Sequence, residues 1–234
     1  AQANLILERL ETNKEVIDEN AGHSALDKAT ITGSATEMLM GEVRFLRAYA
    51  YFTLYRYYGG VPLIIEPTGP KPDYVPRATR QEMFKFLYDE MAYALDKCLD
   101  NRSGIAYGRV TKGAVAGMLA KMKIFHASYI RRAEMYGNKI NETTADDVDK
   151  TMLYADAVKL CDDIIAGVYG TYKLEEYFPA VFTKRNNEIM FSVLAEEGVG
   201  TGNKIPMGFA GEGKYGATGG SNLTSWLTLL YDIP

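Results

Sequence analysis

Glu42-Val-Arg-Phe-Leu-Arg-Ala-Tyr-Ala-Tyr-Phe-Thr-Leu-Tyr-Arg-Tyr-Tyr-Gly-Gly-Val-Pro62 is the stretch from which the rest of the chain can be read. Its aromatic residues do not form one stripe. Phe45, Tyr49 and Phe52 share a helix face by their i, i+4, i+7 spacing, and Tyr51, Tyr55 and Tyr58 repeat that spacing about a third of a turn away. A helix coated with rings in this way is expected to be buried on every side, with other helices against both aromatic faces. Burying each large side chain contributes roughly 1.5–3 kcal/mol, so the segment is a stability centre before anything else. Its Tyr hydroxyls need partners, and Arg44, Arg47 and Arg56 need solvent or carboxylates.

Punctuation around this helix sets the next elements. Ser34 followed by Glu37 reads as a capping box that opens it, and Gly59-Gly60 with Pro62 closes it near Tyr58. Pro62, Pro67, Pro70, Pro72 and Pro76 then exclude both helix and central strand, leaving an extended connector. Thr79 and Glu82 form a second capping box before a helix from about Arg80 to Leu99, with Met83, Phe84, Leu87, Met91, Leu95 and Cys98 on one side. Thr111 caps a helix rich in small residues, including Ala114, Ala116, Gly117 and Ala120, whose size permits close helix packing. A further helix starting near Tyr154 halts at about Gly167, and upstream the residues from Ala1 to about Asn20 are modestly amphipathic. Five helices in antiparallel order make the fold mainly α, a tetratricopeptide-like run of helical repeats over residues 1–170.

Beyond residue 170 the character changes. Tyr172, Tyr177, Phe178 and Phe182 lead into Glu188-Ile-Met-Phe-Ser-Val-Leu194, a run with strand character. From Gly198 to Gly220 there are nine glycines in twenty-three residues, and the apolar Trp226-Leu-Thr-Leu-Leu230 comes after them. Residues 171–234 are therefore expected to begin an irregular, loop-rich part, and the chain to be an internal piece of a longer protein.

Composition excludes some functions. The net charge of −4, from 26 basic and 30 acidic residues, disfavours a dedicated nucleic-acid or anionic-membrane surface. No run of 18 apolar residues is present. Cys98 and Cys161, each inside an expected helix, read as two buried free thiols. Gly208-Phe-Ala-Gly-Glu-Gly213-Lys214 imitates a phosphate loop, but Tyr215 stands where a magnesium-binding Ser or Thr belongs, and glycines occupy the place where a helix should start. His23 and His126 lack ligand partners at helical zinc spacing, and the pairs Asp146-Asp147, Asp162-Asp163 and Glu196-Glu197 point to different sides of any regular element. No catalytic residues, metal ligands or cofactors are assigned. Phe209, Tyr215 and Trp226, with Asn203 and Asn222, combine apolar plates and amides in or beside the Gly-rich segment, a mixture suited to sugar rings. The plainer reading is that these aromatics anchor a long loop.

Glu42-Val-Arg-Phe-Leu-Arg-Ala-Tyr-Ala-Tyr-Phe, continuing to Tyr58-Gly-Gly-Val-Pro-Leu-Ile, resembles the hallmark segment of the SusD/RagB-like outer-membrane nutrient-binding lipoproteins. Arg109-Val-Thr-Lys-Gly-Ala-Val-Ala-Gly-Met-Leu-Ala-Lys-Met is similar to the family's next helix, and Tyr154-Ala-Asp-Ala-Val and Tyr172-Lys-Leu agree with the family further on. Asn187-Glu-Ile-Met-Phe-Ser-Val resembles the family's subsequent strand. The resemblance implies an α/α superhelix and a Bacteroidetes-type cell-surface protein, held in the outer membrane by an N-terminal lipid anchor absent from this chain. Such a protein sits on a SusC-like TonB-dependent transporter and presents oligosaccharides or peptides to it, without catalysis. A glycan-binding lid protein is the leading expectation. A peptide-capturing member of the same class and an intracellular tetratricopeptide-like adaptor are the alternatives.

Overall fold

The computed structural model describes residues 2–21, 34–67, 74–100, 108–136, 148–178, 180–183 and 186–192, all within a compact unit spanning Ala1–Ser192. In chain order the helices are α1 (Gln2–Thr12), α2 (Lys14–Asn20), α3 (Ala35–Tyr58), α4 (Arg80–Lys97), α5 (Lys112–Tyr136), α6 (Lys150–Ile165) and the single turn α7 (Ala180–Thr183). Side-chain caps open all four long helices, with the Thr111 hydroxyl accepting from the Ala114 amide at the start of α5. The Ser34 hydroxyl accepts from the Glu37 amide, and the Thr79–Glu82 box is closed in both directions. Asp149 accepts from the Thr151 amide at 2.8 Å, so α6 starts four residues before the expected Tyr154.

The helices pack as hairpins. Tyr55 of α3 meets Phe84 at the start of α4, while Gly41 of α3 lies against Lys97 and Cys98 at its end, so the two run antiparallel. In the second half of α5, Ser128 and Glu134 meet Tyr154 and Lys150 of α6, which gives a second antiparallel pair. Phe125 of α5 stands edge-on to Phe52 of α3 with ring centroids 5.5 Å apart, joining the pairs into one core. His126 is part of that core. Its ring stacks on Phe84 at 3.8 Å and bonds the Tyr88 hydroxyl at 2.9 Å, which makes it a structural histidine. The architecture is the expected mainly α helical-repeat fold.

Three expectations need correction. The aromatic helix is not buried on every side: Phe45, Ala48, Phe52 and Tyr55 form its core stripe, but Leu46, Leu54, Tyr57 and Tyr58 are exposed. The flank carrying them lies across the helix from the stripe that α4 and α5 cover. Cys98 is buried as expected, yet Cys161 is exposed, because α6 buries only the face of Leu153, Ala157 and Leu160. Finally, residues 188–192 form no strand. Their apolar side chains serve as anchors instead, Phe191 edge-on to Phe45 at 5.2 Å and Met190 over Gly117. Tyr172, Met190 and Phe191 thereby fasten the chain after α6 across α5 and α3 as a strap.

The Gly59-Gly60-Val-Pro62 turn has a direct steric cause. Gly59 ends α3 at φ 68°, a conformation that other residues rarely adopt. A side chain at position 60 would overlap the Ala78 carbonyl, and Ala78 donates its amide to the Val61 carbonyl at 3.1 Å. The returning connector thus closes against the turn it left from.

Candidate functional site

None of the five expected ligand residues, Asn203, Phe209, Tyr215, Asn222 and Trp226, lies within the described residues, and neither does His23. The described part instead brings together a polar node, a cleft beside it and an aromatic rim.

The polar node joins four elements. Glu90 of α4 is 4% exposed and receives Arg47 Nε at 2.7 Å, with Arg44 at 3.6 Å. Arg47 also donates to Asn4 Oδ1 at 3.0 Å and to the Ile65 carbonyl at 3.3 Å. Asn4 of α1 uses its amide nitrogen on the carbonyls of Ile64 and Glu66, at 2.8 and 2.9 Å. The Tyr51 hydroxyl accepts from the Ile64 amide at 2.9 Å and donates to the Ile64 carbonyl at 3.1 Å. A proline-rich extended connector without a partner strand has backbone groups to satisfy, and these side chains satisfy them. Sequence reasoning does not find Asn4 or Glu90. The signal for Asn4 is weak: an amide at an otherwise apolar register of a short amphipathic helix.

Beside the node lies a cleft of about 500 Å³ between α1, α3 and the connector, walled by Leu46, Ala50, Leu54, Val61 and Pro62. This is the size range of small-ligand sites. Tyr57 and Tyr58 lie three and four residues beyond Leu54, so the same flank of α3 continues onto both rings. The rings are 78% and 66% exposed, with centroids 6.4 Å apart and planes inclined by 56°. Arg77 fixes the base of this rim by donating to the Tyr58 and Gly60 carbonyls.

The ionisable groups here are structural. Arg109 grips Glu42 through two nitrogens, at 2.9 and 2.6 Å, while burial holds the Glu42 carboxyl above its ordinary value against that pull. Burial pushes the Cys98 thiol up to about 12, and the Glu42 charge adds to the effect. Asp163 binds Lys159 at 3.0 Å, the solvated pairing expected of a surface carboxylate. Among the described residues, no group of three or more His, Cys, Asp or Glu side chains could hold a metal ion, and no helix is long and apolar enough to cross a membrane. What the arrangement offers is contact surface on a rigid frame: an aliphatic cleft and two phenol rings.

A family model for SusD-like proteins, described as starch-binding associating with outer membrane, matches residues 1–124. A SusD-like protein of Bacteroides ovatus is 26% identical over 176 residues, which are 75% of this chain and 29% of the relative. In structure, the chain is similar to a SusD superfamily protein from Bacteroides fragilis, with a TM-score of 0.63 at 22% identity over 89% of this chain and 37% of that one. It is also similar to a protein solved with a xylogluco-oligosaccharide, with a TM-score of 0.51 at 22% identity over 74% of this chain and 28% of that one. The chain therefore spans between 28% and 37% of the length of these relatives. With a match that covers more than half of its residues and takes in α3 and the turn after it, the chain belongs to the SusD-like family.

Proposed function

We propose that this chain is the helical part of a cell-surface glycan-binding lipoprotein that captures oligosaccharides and delivers them to a SusC-like TonB-dependent outer-membrane transporter. The observation that carries the reading is the family match over residues 1–124, which contains the aromatic helix, its Gly59–Pro62 turn and the capped helix after it. Likeness in fold to a protein solved with a xylogluco-oligosaccharide supports it further. In this reading residues 1–170 are the helical platform facing the transporter. Residues 171–234 begin the ligand face, with Asn203, Phe209, Tyr215, Asn222 and Trp226 as its first contacts. The protein binds and transfers its cargo unchanged, and a lipid anchor on the full-length chain keeps it at the outer membrane.

Calorimetric titration of the full-length protein against a panel of oligosaccharides tests this. Saturable binding to at least one glycan is expected. Uniform absence of glycan binding alongside peptide binding would replace the reading with a peptide-capturing protein of the same class. Detection of the protein in the cytosol, without a lipidated N-terminus, would replace it with a tetratricopeptide-like adaptor.

A further inference from the structure

The rim formed by Tyr57 and Tyr58 plays no part in the core that the opposite face of α3 builds. Both rings stand largely in water, yet the backbone beneath them is fixed from three directions. Gly59 ends the helix at φ 68°, Arg77 holds the Tyr58 carbonyl, and the Ala78 carbonyl presses on Gly60. With the backbone fixed, only the two χ angles of each ring remain to be ordered when a ligand lies on them.

The pair of exposed rings also suits a ligand class. The two ring planes are inclined by 56° with centroids 6.4 Å apart, and both rings are exposed enough to offer neighbouring apolar faces to a flat partner. Beside the rim, Arg77 is held on two backbone carbonyls and Arg56 lies over the Phe52 ring, so both keep their charge and can donate hydrogen bonds to hydroxyl groups of a bound molecule. A neutral, hydrated molecule with C–H faces finds both stacking surfaces and, past Leu54, a cleft of about 500 Å³ with room for a longer chain. Resting on the glycan reading above, we propose that Tyr57 and Tyr58 form a sugar-stacking platform on the helical part of the protein, far in sequence from the Gly-rich segment, that takes neutral pyranose rings.

The test is titration of the full-length protein with a starch-derived maltooligosaccharide and a xylogluco-oligosaccharide. The comparison set is wild type, the double variant Tyr57→Ala/Tyr58→Ala, and the double variant Tyr57→Phe/Tyr58→Phe. Stacking predicts that the alanine pair weakens binding of the recognised glycan by about tenfold while the phenylalanine pair stays within about threefold of wild type. Thermal melting checks that the alanine variant stays folded, as expected for exposed side chains. Wild-type affinity in the folded alanine variant overturns the platform and leaves the glycan reading standing. Equal loss in the alanine and phenylalanine variants overturns stacking in favour of hydroxyl contacts. Binding of neither glycan by wild type, in a protein that binds peptides, removes the glycan reading and the platform with it.

Discussion

The phenol of Tyr172 fills the space that a side chain at Gly113 would need. Its hydroxyl bonds Thr111 Oγ1 at 3.1 Å, and that same oxygen accepts the Ala114 amide in the first turn of α5. Glycine at position 113 is thus a socket for the strap beyond α6. Gly113→Ala is expected to expel the ring, break the Thr111 bond and cost about 2–4 kcal/mol in chemical denaturation. Adding Tyr172→Ala should recover part of the loss, because the double variant has no ring left to clash. Additive losses in that cycle would show that the socket is not what the glycine provides.

Arg47 and Glu90 support a second prediction. Their side chains are 10% and 5% exposed and meet at 2.7 Å, so removing one leaves the other with a buried, poorly compensated charge. Arg47→Ala is expected to destabilise the fold by about 3–5 kcal/mol and to loosen α1, which depends on Asn4 being held by the same guanidinium. Glu90→Gln keeps a hydrogen-bond acceptor and should cost less. Hydrogen exchange at the amides of α1 separates local loosening from global unfolding.

Much of this fold is legible in the sequence, and the reasons differ from element to element. Caps and the glycine-proline turn are local chemistry: Ser34, Thr79 and Gly59 declare helix ends through contacts a few residues away. Full burial of the aromatic helix is an overestimate because ring spacing reveals which residues share a face but not how many faces have neighbours, and the flank of Leu54, Tyr57 and Tyr58 is exposed. The run at Glu188–Ser192 has the apolar, β-prone residues of a strand, but such residues mark any short segment with one side on a core. Here Phe191 packs on Phe45 without a ladder. Asn4, Arg47 and Glu90 meet across gaps of 43 residues, a relationship that no local pattern records.

The cysteines should differ sharply in reactivity. Cys98 is buried and its thiol is pushed up to about 12, so at pH 8 only about one part in ten thousand is thiolate. Cys161 sits on the exposed side of α6. A colourimetric thiol reagent at pH 8 should titrate one group per native chain within minutes and the second only in denaturant. Two fast-reacting thiols in the native protein would place Cys98 at the surface.

Glu42 should give stability a definite slope with pH. Burial raises its carboxyl above the usual 4.5 and outweighs the opposing hydrogen bonds and charge of Arg109. Between 4.5 and the folded value the native state holds a proton that the unfolded chain has released, so this contribution is complete below 4.5 and is lost as pH rises. Asp18, Glu37 and Glu82 are displaced downward, so their contributions are present well above the ordinary carboxylate values and are lost as pH falls through those values and below them; Lys97 and Lys159 are displaced upward and act in the alkaline range. A denaturation series from about pH 5.5 to 7, roughly a unit above the ordinary carboxylate values, therefore isolates Glu42 among the displaced groups of the described residues. Unfolding free energy should decline across that series in the wild type and run flatter in Glu42→Gln, whose amide still accepts from Arg109. The same decline in both proteins would trace the slope to another group and leave Glu42 ionised at no cost.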